Sequence, residues 1–291
     1  MSLAGAAPLC ATWGEAVASV ARRLAEAGIV EARREARLLV ALAASVEPAT
    51  VLGWPERRLD EGAEARLEEL ARRRASREPY ARLVGKRQFW SLDFALSSAT
   101  LDPRPDSETL IESALELLPD RGASLRLLDF GTGSGCLLLA LLSEFANATG
   151  VGVDLQPGAA ALARRNAAAL SLAGRAAFVV GNWGGALAGQ VDVILANPPY
   201  ICSESIDSLA PEIARYEPRV ALDGGRDGLD AYRALAGETR RLLRSGGMGF
   251  FELGEGQAPA VVALMAAAGL TVMSSRRDLA GIERVLVVKR Q

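Results

Sequence analysis

From residue 125 onward, short apolar runs alternate with longer segments of helical periodicity, and this alternation restricts the fold more than any other feature of the chain. Strands that alternate with helices in this way form a parallel sheet covered by helices on both faces. We therefore expect an α/β fold. The predicted strands are 126–130, 149–153, 177–180, 191–196, 248–253, 270–273 and 284–288, and the predicted helices are 136–143, 157–170, 232–243 and 258–268.

A glycine-rich turn follows the first predicted strand and leads into a helix. It consists of Gly131, Thr132, Gly133, Ser134 and Gly135. Its glycines let the backbone approach a ligand at the helix N-terminus. The second strand ends in Asp154, where a carboxylate can accept from both hydroxyls of a ribose. Together the two features indicate a nucleoside-containing cofactor, and the absence of a G-x-x-x-x-G-K-[ST] motif argues against a P-loop.

The third predicted strand ends at Asn182 and Trp183, at a place in the sheet that faces the base of such a cofactor. The indole of Trp183 can lie against adenine, and the amide of Asn182 can hydrogen-bond its edge. Ordinary packing of Trp183 is an equal alternative, because tryptophan is buried on average.

The fourth strand ends in Asn197-Pro198-Pro199-Tyr200. Two prolines cannot extend a strand, so Asn197 stands at its carboxyl end, where open α/β sheets bind ligands. The side-chain carbonyl of Asn197 and the backbone carbonyl of Pro198 are two acceptors that suit a planar NH2 group. Tyr200 adds an aromatic face. The tetrapeptide therefore predicts recognition of an amide or an exocyclic amine, although alone it could be a strand end with a polyproline turn.

Residues 13–78 show helical periodicity and predict four helices, and 83–97 predict a short hairpin. We expect three parts: a helical domain at 1–80, a hairpin linker at 81–100 and an α/β domain at 101–291. The run Arg72-Arg73-Arg74 is either a solvated helix face or a contact surface for a macromolecular partner.

The loop 101–109 contains two prolines and precedes a helix that runs to residue 118. Asp106 or Ser107 can cap that helix. Glu108 lies in its first turn, where the helix dipole favours a carboxylate. The alternative is that Arg104 and Glu108 lie at the rim of a substrate site.

Composition excludes several classes of function. The net charge is −2, which argues against direct nucleic-acid binding, and the chain has no histidine. Histidine triads and histidine metal ligands are thereby excluded, and Cys10, Cys136 and Cys202 are too dispersed for a disulfide framework or a zinc site. Residues 1–12 lack the features of a signal peptide, and no apolar run is long enough to span a membrane. We expect a cytoplasmic protein without a metal.

The chain resembles class I S-adenosylmethionine-dependent methyltransferases, and within them the HemK/PrmC glutamine methyltransferases that modify peptide-chain release factors. The resemblance covers nearly the whole chain. The matching motifs are Arg33-Arg34-Glu35-Ala36, Glu78-Pro79, Gln88-Phe89-Trp90, Pro103-Arg104-Pro105-Asp106-Ser107-Glu108, residues 128–135, Asn197-Pro198-Pro199-Tyr200 and Asp227-Gly228-Leu229.

The resemblance implies a seven-stranded Rossmann-like methyltransferase sheet with a smaller N-terminal helical bundle. The implied reaction methylates the glutamine amide of the Gly-Gly-Gln motif in class I release factors, with S-adenosyl-L-methionine as methyl donor and S-adenosyl-L-homocysteine as product. Residues 131–135, Asp154, Asn182, Trp183 and Asn197 would bind the cofactor. Asn197, Pro198, Pro199, Tyr200, Arg104 and Glu108 would bind substrate, and Asn197, Pro198 and Tyr200 would be catalytic.

Two residues depart from the family pattern. Asn182 stands where an acid is usual, and Asp102 stands where an apolar residue is usual. Three alternative functions remain open on the sequence alone. They are methylation of a ribosomal-protein glutamine, methylation of an adenine or guanine amine in nucleic acid, and ligand binding without turnover.

Overall fold

The computed structural model describes residues 11–291. The chain divides into two compact units, one ending at Val84 and the other beginning at Gly85. The three-domain division at residues 80 and 100 stays a prediction. Cys10 and most of the segment on which we based the absence of a signal peptide lie outside the described residues.

The first unit is helical, as predicted. Thr12 and Glu15 form a capping box at the start of the first helix, and Asp60 caps the fourth. Apolar side chains on the inner faces, such as Leu24 and Leu39, are fully buried. A fifth, short helix follows Pro79 and was not predicted. The helices are α1 (Trp13–Glu26), α2 (Ala32–Ala44), α3 (Pro48–Gly53), α4 (Glu61–Ala75) and α5 (Tyr80–Val84).

The interpretation of the arginine run as a solvated helix face is wrong for Arg74. This residue is buried, and its guanidinium pairs with Glu35 at 2.5 Å (Nε to Oε2) and 3.1 Å (Nη2 to Oε1). A buried arginine requires such a partner because desolvation of an unpaired charge is costly. Arg72 is the more exposed member and pairs with Glu69 on its own helix at 2.7 Å.

The second unit begins with the predicted hairpin, β1 (Lys86–Phe89) paired with β2 (Leu92–Ala95). Trp90 and Ser91 both have positive φ, 51° and 59°, the conformation of a two-residue type I′ turn. The turn is fixed from two sides. The Trp90 backbone N–H donates to Glu108 at 2.8 Å, and the Trp90 indole N–H donates to Glu144 at 2.7 Å.

The second unit then forms the predicted seven-stranded sheet, with strand order β5-β4-β3-β6-β7-β9-β8. The expectation of an all-parallel sheet is wrong for β9, which runs antiparallel to both neighbours. The short connection from β8 to β9 explains this, because a parallel pair needs a long crossover. The strands are β3 (Arg126–Phe130), β4 (Thr149–Asp154), β5 (Ala176–Val180), β6 (Val191–Ala196), β7 (Leu243–Glu252), β8 (Thr271–Arg277) and β9 (Glu283–Lys289).

Helices cover both faces of this sheet. Two apolar clusters result, one that includes Leu138 and Phe145 and a second that includes Tyr232 and Met265. The helices of the second unit are α6 (Glu108–Leu117), α7 (Cys136–Glu144), α8 (Pro157–Ala169), α9 (Pro211–Ala214), α10 (Asp230–Leu242) and α11 (Ala258–Ala267).

Two segments differ from the prediction. β7 begins at Leu243 rather than at residue 248, with a register shift against β6 between Val191 and Val193. Residues 201–229 contain α9 and two 3-10 helical turns, Ser203–Ser208 and Arg219–Ala221, for which no element was predicted. Helical turns of three to six residues are too short to show a periodicity that a sequence pattern could reveal.

Asn166 joins three parts of the second unit. Its Oδ1 accepts from the Ala95 N–H at 3.0 Å, and its Nδ2 donates to the carbonyls of Ala95 at 3.2 Å and Ser134 at 2.8 Å. Because Asn166 is buried, its bond to the Ser134 carbonyl satisfies a buried backbone group of the glycine-rich turn, and its two partly buried bonds to Ala95 attach β2 to α8.

We predict that Asn166→Ala lowers the free energy of unfolding by at least about 2 kcal/mol, because each buried polar group left without a partner costs roughly 1–3 kcal/mol. Urea unfolding of the full chain measures the change. Asn147→Ala is the matched control, since it removes one exposed amide bond to the Gly122 carbonyl. Equal unfolding free energies for the two variants would contradict the assignment.

Candidate functional site

The carboxyl ends of three neighbouring parallel strands bring the predicted motifs together. Phe130 of β3 is paired with Val153 of β4 on one side and with Ala196 of β6 on the other. The residues that follow these three are Gly131, Asp154 and Asn197. Adjacent strands lie about 4.8 Å apart, so the glycine-rich turn and the tetrapeptide begin side by side.

A cavity of about 340 Å³ opens at this edge of the sheet. Its size and its mixed apolar and polar lining are those of a small-molecule site. Most of the predicted cofactor residues line it. They are Gly131, Thr132, Gly133, Ser134, Asp154, Asn182, Trp183 and Asn197, together with Arg104 and Pro199 of the predicted substrate set.

The glycine-rich turn has the conformation that its sequence predicts. Gly131, Gly133 and Gly135 have φ of 67°, 54° and 84°, in the left-handed region that glycine adopts without strain. A Cβ at Gly135 would lie 3.1 Å from Leu139 and 3.2 Å from Ala163, so packing beneath the turn also requires glycine. The turn leads directly into α7, and the first two residues of this helix, Cys136 and Leu137, line the cavity.

Asp154 links the second strand to this turn. Its Oδ2 accepts from the Gly133 N–H at 2.8 Å and its Oδ1 from the Gln156 N–H at 2.8 Å. Burial raises the pKa of the Asp154 carboxyl, and the two backbone N–H bonds act in the opposite direction. Each carboxylate oxygen still has a further lone pair, so the aspartate can accept from a ligand while it holds the turn.

Trp183 packs as well as lining the cavity. Its ring meets Phe130 edge to face, with centroids 6.4 Å apart and planes at 85°. A Cβ on Gly131 would lie 3.7 Å from the indole, which places the ring next to the glycine-rich turn. Trp183 has a φ of 50°, and the exposed Asn182 precedes it at the cavity edge. The packing role is confirmed, and contact with a base stays a prediction.

The tetrapeptide spans two adjoining cavities. Asn197 lines both the large cavity and a second one of about 90 Å³, whereas Pro199 lines only the large cavity and Tyr200 only the small one. Pro198 lines neither. Apolar side chains from the segment after β6, including Ile213 and Leu222, form the opposite wall of the small cavity. Of the two residues predicted to hold a planar NH2 group, Asn197 therefore stands where the two cavities adjoin, whereas Pro198 lines neither of them.

Ser107 occupies the N-cap position of α6, but its side chain makes no capping hydrogen bond, contrary to our expectation. Its hydroxyl lies 2.5 Å from Glu252 Oε2, and it also accepts from Asn197 Nδ2 at 3.1 Å. Glu252 is fully enclosed at the end of β7, and burial raises its pKa to about 7. Its Oε1 accepts from the Tyr200 hydroxyl at 3.4 Å.

The sequence reasoning missed Glu252, although a signal for it was present. A carboxylate at the carboxyl end of a predicted strand, Glu252-Leu253-Gly254, has the same placement as Asp154. Ser107 was singled out only for capping, because its contact with Glu252 joins residues far apart in the sequence.

The loop before α6 is held by Glu217. This buried carboxylate accepts from Arg104 Nη2 at 3.1 Å and from the Asp102 N–H at 3.2 Å. Arg104 lines both cavities, and its contact with a substrate stays a prediction. Glu108 lines neither, and its carboxylate instead accepts from the hairpin turn at Trp90, so the structure favours a structural role for it. Asp102, the other departure from the family pattern, is buried with its Oδ1 3.7 Å from Arg87 Nε.

Residues 11–291 contain no group of three or more side chains that could hold a metal ion. Over the same residues, no helix is long and apolar enough to cross a membrane. Cys136 and Cys202 are free thiols.

Two family models match the chain. A PrmC N-terminal domain model matches residues 15–85, and a methyltransferase small domain model matches residues 89–226. The PrmC match covers the helical unit, and the second match covers the site as far as the segment after β6.

Curated relatives match over most of the chain. A release factor glutamine methyltransferase from Rhodospirillum rubrum is 47% identical over 92% of this chain and 82% of its own length. A protein of the same name from Bradyrhizobium diazoefficiens is 44% identical over 94% of this chain and 93% of its own length. A solved methyltransferase structure from Pyrococcus furiosus, 20% identical, matches with a TM-score of 0.52 over 76% of this chain and 98% of that one, which supports the fold alone.

These relatives are 44% and 47% identical over more than nine-tenths of this chain, and the helical unit matches its own family model. The similarity therefore includes the helical unit as well as the methyltransferase sheet. The chain belongs to the release factor glutamine methyltransferase family.

Proposed function

We propose that the protein transfers the methyl group of S-adenosyl-L-methionine to the side-chain amide nitrogen of the glutamine in the Gly-Gly-Gln motif of class I release factors. The observation that carries this proposal is the placement of Asn197 directly beside the glycine-rich turn, on the neighbouring strand end. Family membership supplies the substrate class, because relatives are named for release factor glutamine methylation.

The large cavity fits the proposed cofactor. The positive φ of Gly131 and Gly133 opens the backbone toward the cavity, and the oriented carboxylate of Asp154 is suited to ribose hydroxyls. Trp183 offers a ring beside the turn, and Asn182 offers a carbonyl in place of the usual acid. When bound, the cofactor supplies an electrophilic methyl group on a sulfonium and leaves as S-adenosyl-L-homocysteine.

The protein's main task is to orient a weak nucleophile. The lone pair of an amide nitrogen is delocalised into its carbonyl, so the nitrogen must be held about 3–3.5 Å from the methyl carbon and in line with it. Asn197 Oδ1 and the Pro198 carbonyl accept the two N–H groups of the glutamine. Tyr200 packs against the flat amide.

The same two acceptors stabilise the transition state. Positive charge develops on the nitrogen as its bond to carbon forms, and the partial negative charge of the two oxygens opposes it without any rearrangement. The methylated nitrogen then loses one of its two protons to restore a neutral amide. With no histidine in the chain, we assign no general base and expect the proton to reach solvent after transfer.

The helical unit is the proposed docking element for the release factor. A single glutamine side chain offers little surface, so selection of one glutamine requires contacts away from the reacting atom. Arg72 and its partner Glu69 are both exposed, so this solvated ion pair can exchange for a rim contact that mainly raises the association rate, whereas Arg74 is buried against Glu35 in the core of this unit.

We predict that Asp154→Ala weakens S-adenosyl-L-methionine binding by about 10-fold to 100-fold, because hydrogen bonds to a charged acceptor are worth roughly 1.5–3 kcal/mol. Isothermal titration calorimetry measures the affinity. Asp120→Ala, which removes an exposed carboxylate bonded to the Gly122 N–H, is the control and should bind as the wild type does. Unchanged affinity in Asp154→Ala would refute the ribose assignment.

We predict that Asn197→Ala lowers the rate of methyl transfer to a release factor on the order of 10²–10³-fold, with cofactor affinity changed far less, because it removes one transition-state acceptor. The assay incubates enzyme, labelled cofactor and recombinant release factor, and peptide mass spectrometry maps the methyl group.

In the wild-type reaction, the methyl group should lie on the glutamine of Gly-Gly-Gln. Methylation only of a ribosomal protein or of nucleic acid, when these are offered in the same assay, would overturn the proposed substrate. If Asn197→Ala turns over at the wild-type rate, Asn197 has no role in methyl transfer and only ends the strand.

A further inference from the structure

We propose that Ser107 and Glu252 are positioning residues that fix the side-chain amide of Asn197 with its carbonyl toward the substrate, and that the ionised form of Glu252 is the active one. The inference rests on the proposed function for the identity of the substrate amide. The orientation of Asn197 itself is a property of this chain and can be measured without turnover.

The hydrogen-bond chain allows one orientation when Glu252 is ionised. A carboxylate only accepts, so the single hydroxyl hydrogen of Ser107 is committed to Glu252 Oε2 at 2.5 Å. Ser107 can then only accept from Asn197, and the contact of 3.1 Å is made by Nδ2. Oδ1 occupies the other branch of the amide, available for the two-acceptor recognition that the tetrapeptide provides.

The same carboxylate holds the other end of the tetrapeptide. Tyr200 donates its hydroxyl to Glu252 Oε1 at 3.4 Å. The backbone at Glu252 is itself fixed, because the Tyr232 hydroxyl of α10 donates to its carbonyl at 2.7 Å. One buried residue thereby sets the position of the acceptor Asn197 and of the aromatic Tyr200.

Protonation of Glu252 reverses the chain of bonds. A protonated carboxyl can donate to Ser107, which frees the serine hydrogen to point at Asn197. The asparagine then presents its carbonyl to Ser107 and its NH2 to the substrate. The NH2 groups of Asn197 and of the substrate glutamine are both donors, so they cannot hydrogen-bond to each other. Turnover should therefore rise with pH as Glu252 loses its proton.

The Glu252 carboxyl titrates in a pH range that an activity assay can cover. The pKa of Glu252 is raised to about 7, mainly by burial and to a smaller extent by Asp106, whereas Ser107, Arg284 and Tyr200 act to lower it. Below this pKa the carboxyl is protonated and the Asn197 amide is held in the reversed orientation, and above it the active orientation is held. The titratable and charged groups that face Glu252 are Asp106 before α6, Cys136 of α7, Tyr200 after β6, Tyr232 of α10 and Arg284 of β9.

The first experiment compares two buried serines, one before and one within α6. Ser107→Ala should lower kcat for methyl transfer to the release factor roughly 10-fold to 100-fold, the scale of loss from misplacing a reacting group. Cofactor affinity by calorimetry should stay within about twofold, because the glycine-rich turn and Asp154 are untouched. Ser113→Ala is the control, since its hydroxyl donates only to the Thr109 carbonyl within the helix. Ser107→Thr keeps the hydroxyl and should restore most of the rate.

The second experiment follows pH. Wild-type kcat should rise through about pH 7, and Glu252→Gln, which cannot ionise, should lose this dependence. The side-chain amide signals of Asn197, identified by their absence in Asn197→Ala, should shift with the same midpoint in ¹⁵N-resolved NMR spectra of the wild type. They should not shift in Glu252→Gln.

The outcomes separate the inference from the proposed function. If the wild type does not methylate the release factor, the proposed function fails, and the NMR titration still decides the inference. A kcat for Ser107→Ala equal to that of Ser113→Ala would overturn the inference. An Asn197 amide titration that persists in Glu252→Gln would also overturn it. Loss of activity with loss of folded structure by circular dichroism in Ser107→Ala leaves the decision to Ser107→Thr and to the titration.

Discussion

The carboxyl ends of parallel strands lie at the same edge of a sheet. The candidate site of this protein depends on this shared direction of β3, β4 and β6. Strand order reverses between β3 and β6, so the crossover connections leave on opposite faces and a cavity forms between the turns. The paired positions of Phe130 and Ala196 bring the glycine-rich turn next to the Asn-Pro-Pro-Tyr tetrapeptide, although Gly131 and Asn197 are 66 positions apart in the sequence. Methyl transfer needs this proximity, and the register of two strands provides it.

Buried or half-buried carboxylates hold the turns and loops at this edge of the sheet in place. Asp154 holds the glycine-rich turn through the Gly133 N–H, Glu217 holds the loop that contains Arg104, and Glu252 holds Ser107. A carboxylate can accept several bonds at once, so each can tie a loop to the sheet edge and retain capacity for a ligand or a neighbour. The rigid placement of acceptors before substrate arrives is what electrostatic stabilisation of a transition state requires.

The sequence predicted the sheet and most of the residues that line the large cavity, because these depend on local patterns. Apolar runs located all seven strands, and glycines and prolines located the turns that leave them. The antiparallel direction of β9 follows from the short connection between β8 and β9, which the apolar runs do not report. Residues 201–229 show no helical or strand periodicity. The Ser107–Glu252 contact joins residues 145 positions apart and could not follow from a local pattern. The burial of Arg74 likewise depended on a partner from another helix, Glu35.

A crystal structure with S-adenosyl-L-homocysteine and a Gly-Gly-Gln peptide tests the central claim most directly. The account predicts the glutamine amide nitrogen within hydrogen-bond distance, about 2.7–3.2 Å, of both Asn197 Oδ1 and the Pro198 carbonyl. Asn197 Nδ2 should donate to the Ser107 hydroxyl. The glutamine amide nitrogen should face the sulfur of S-adenosyl-L-homocysteine, with space between them for the methyl group. A glutamine amide bound elsewhere, or an Asn197 that presents Nδ2 to the peptide, would contradict it.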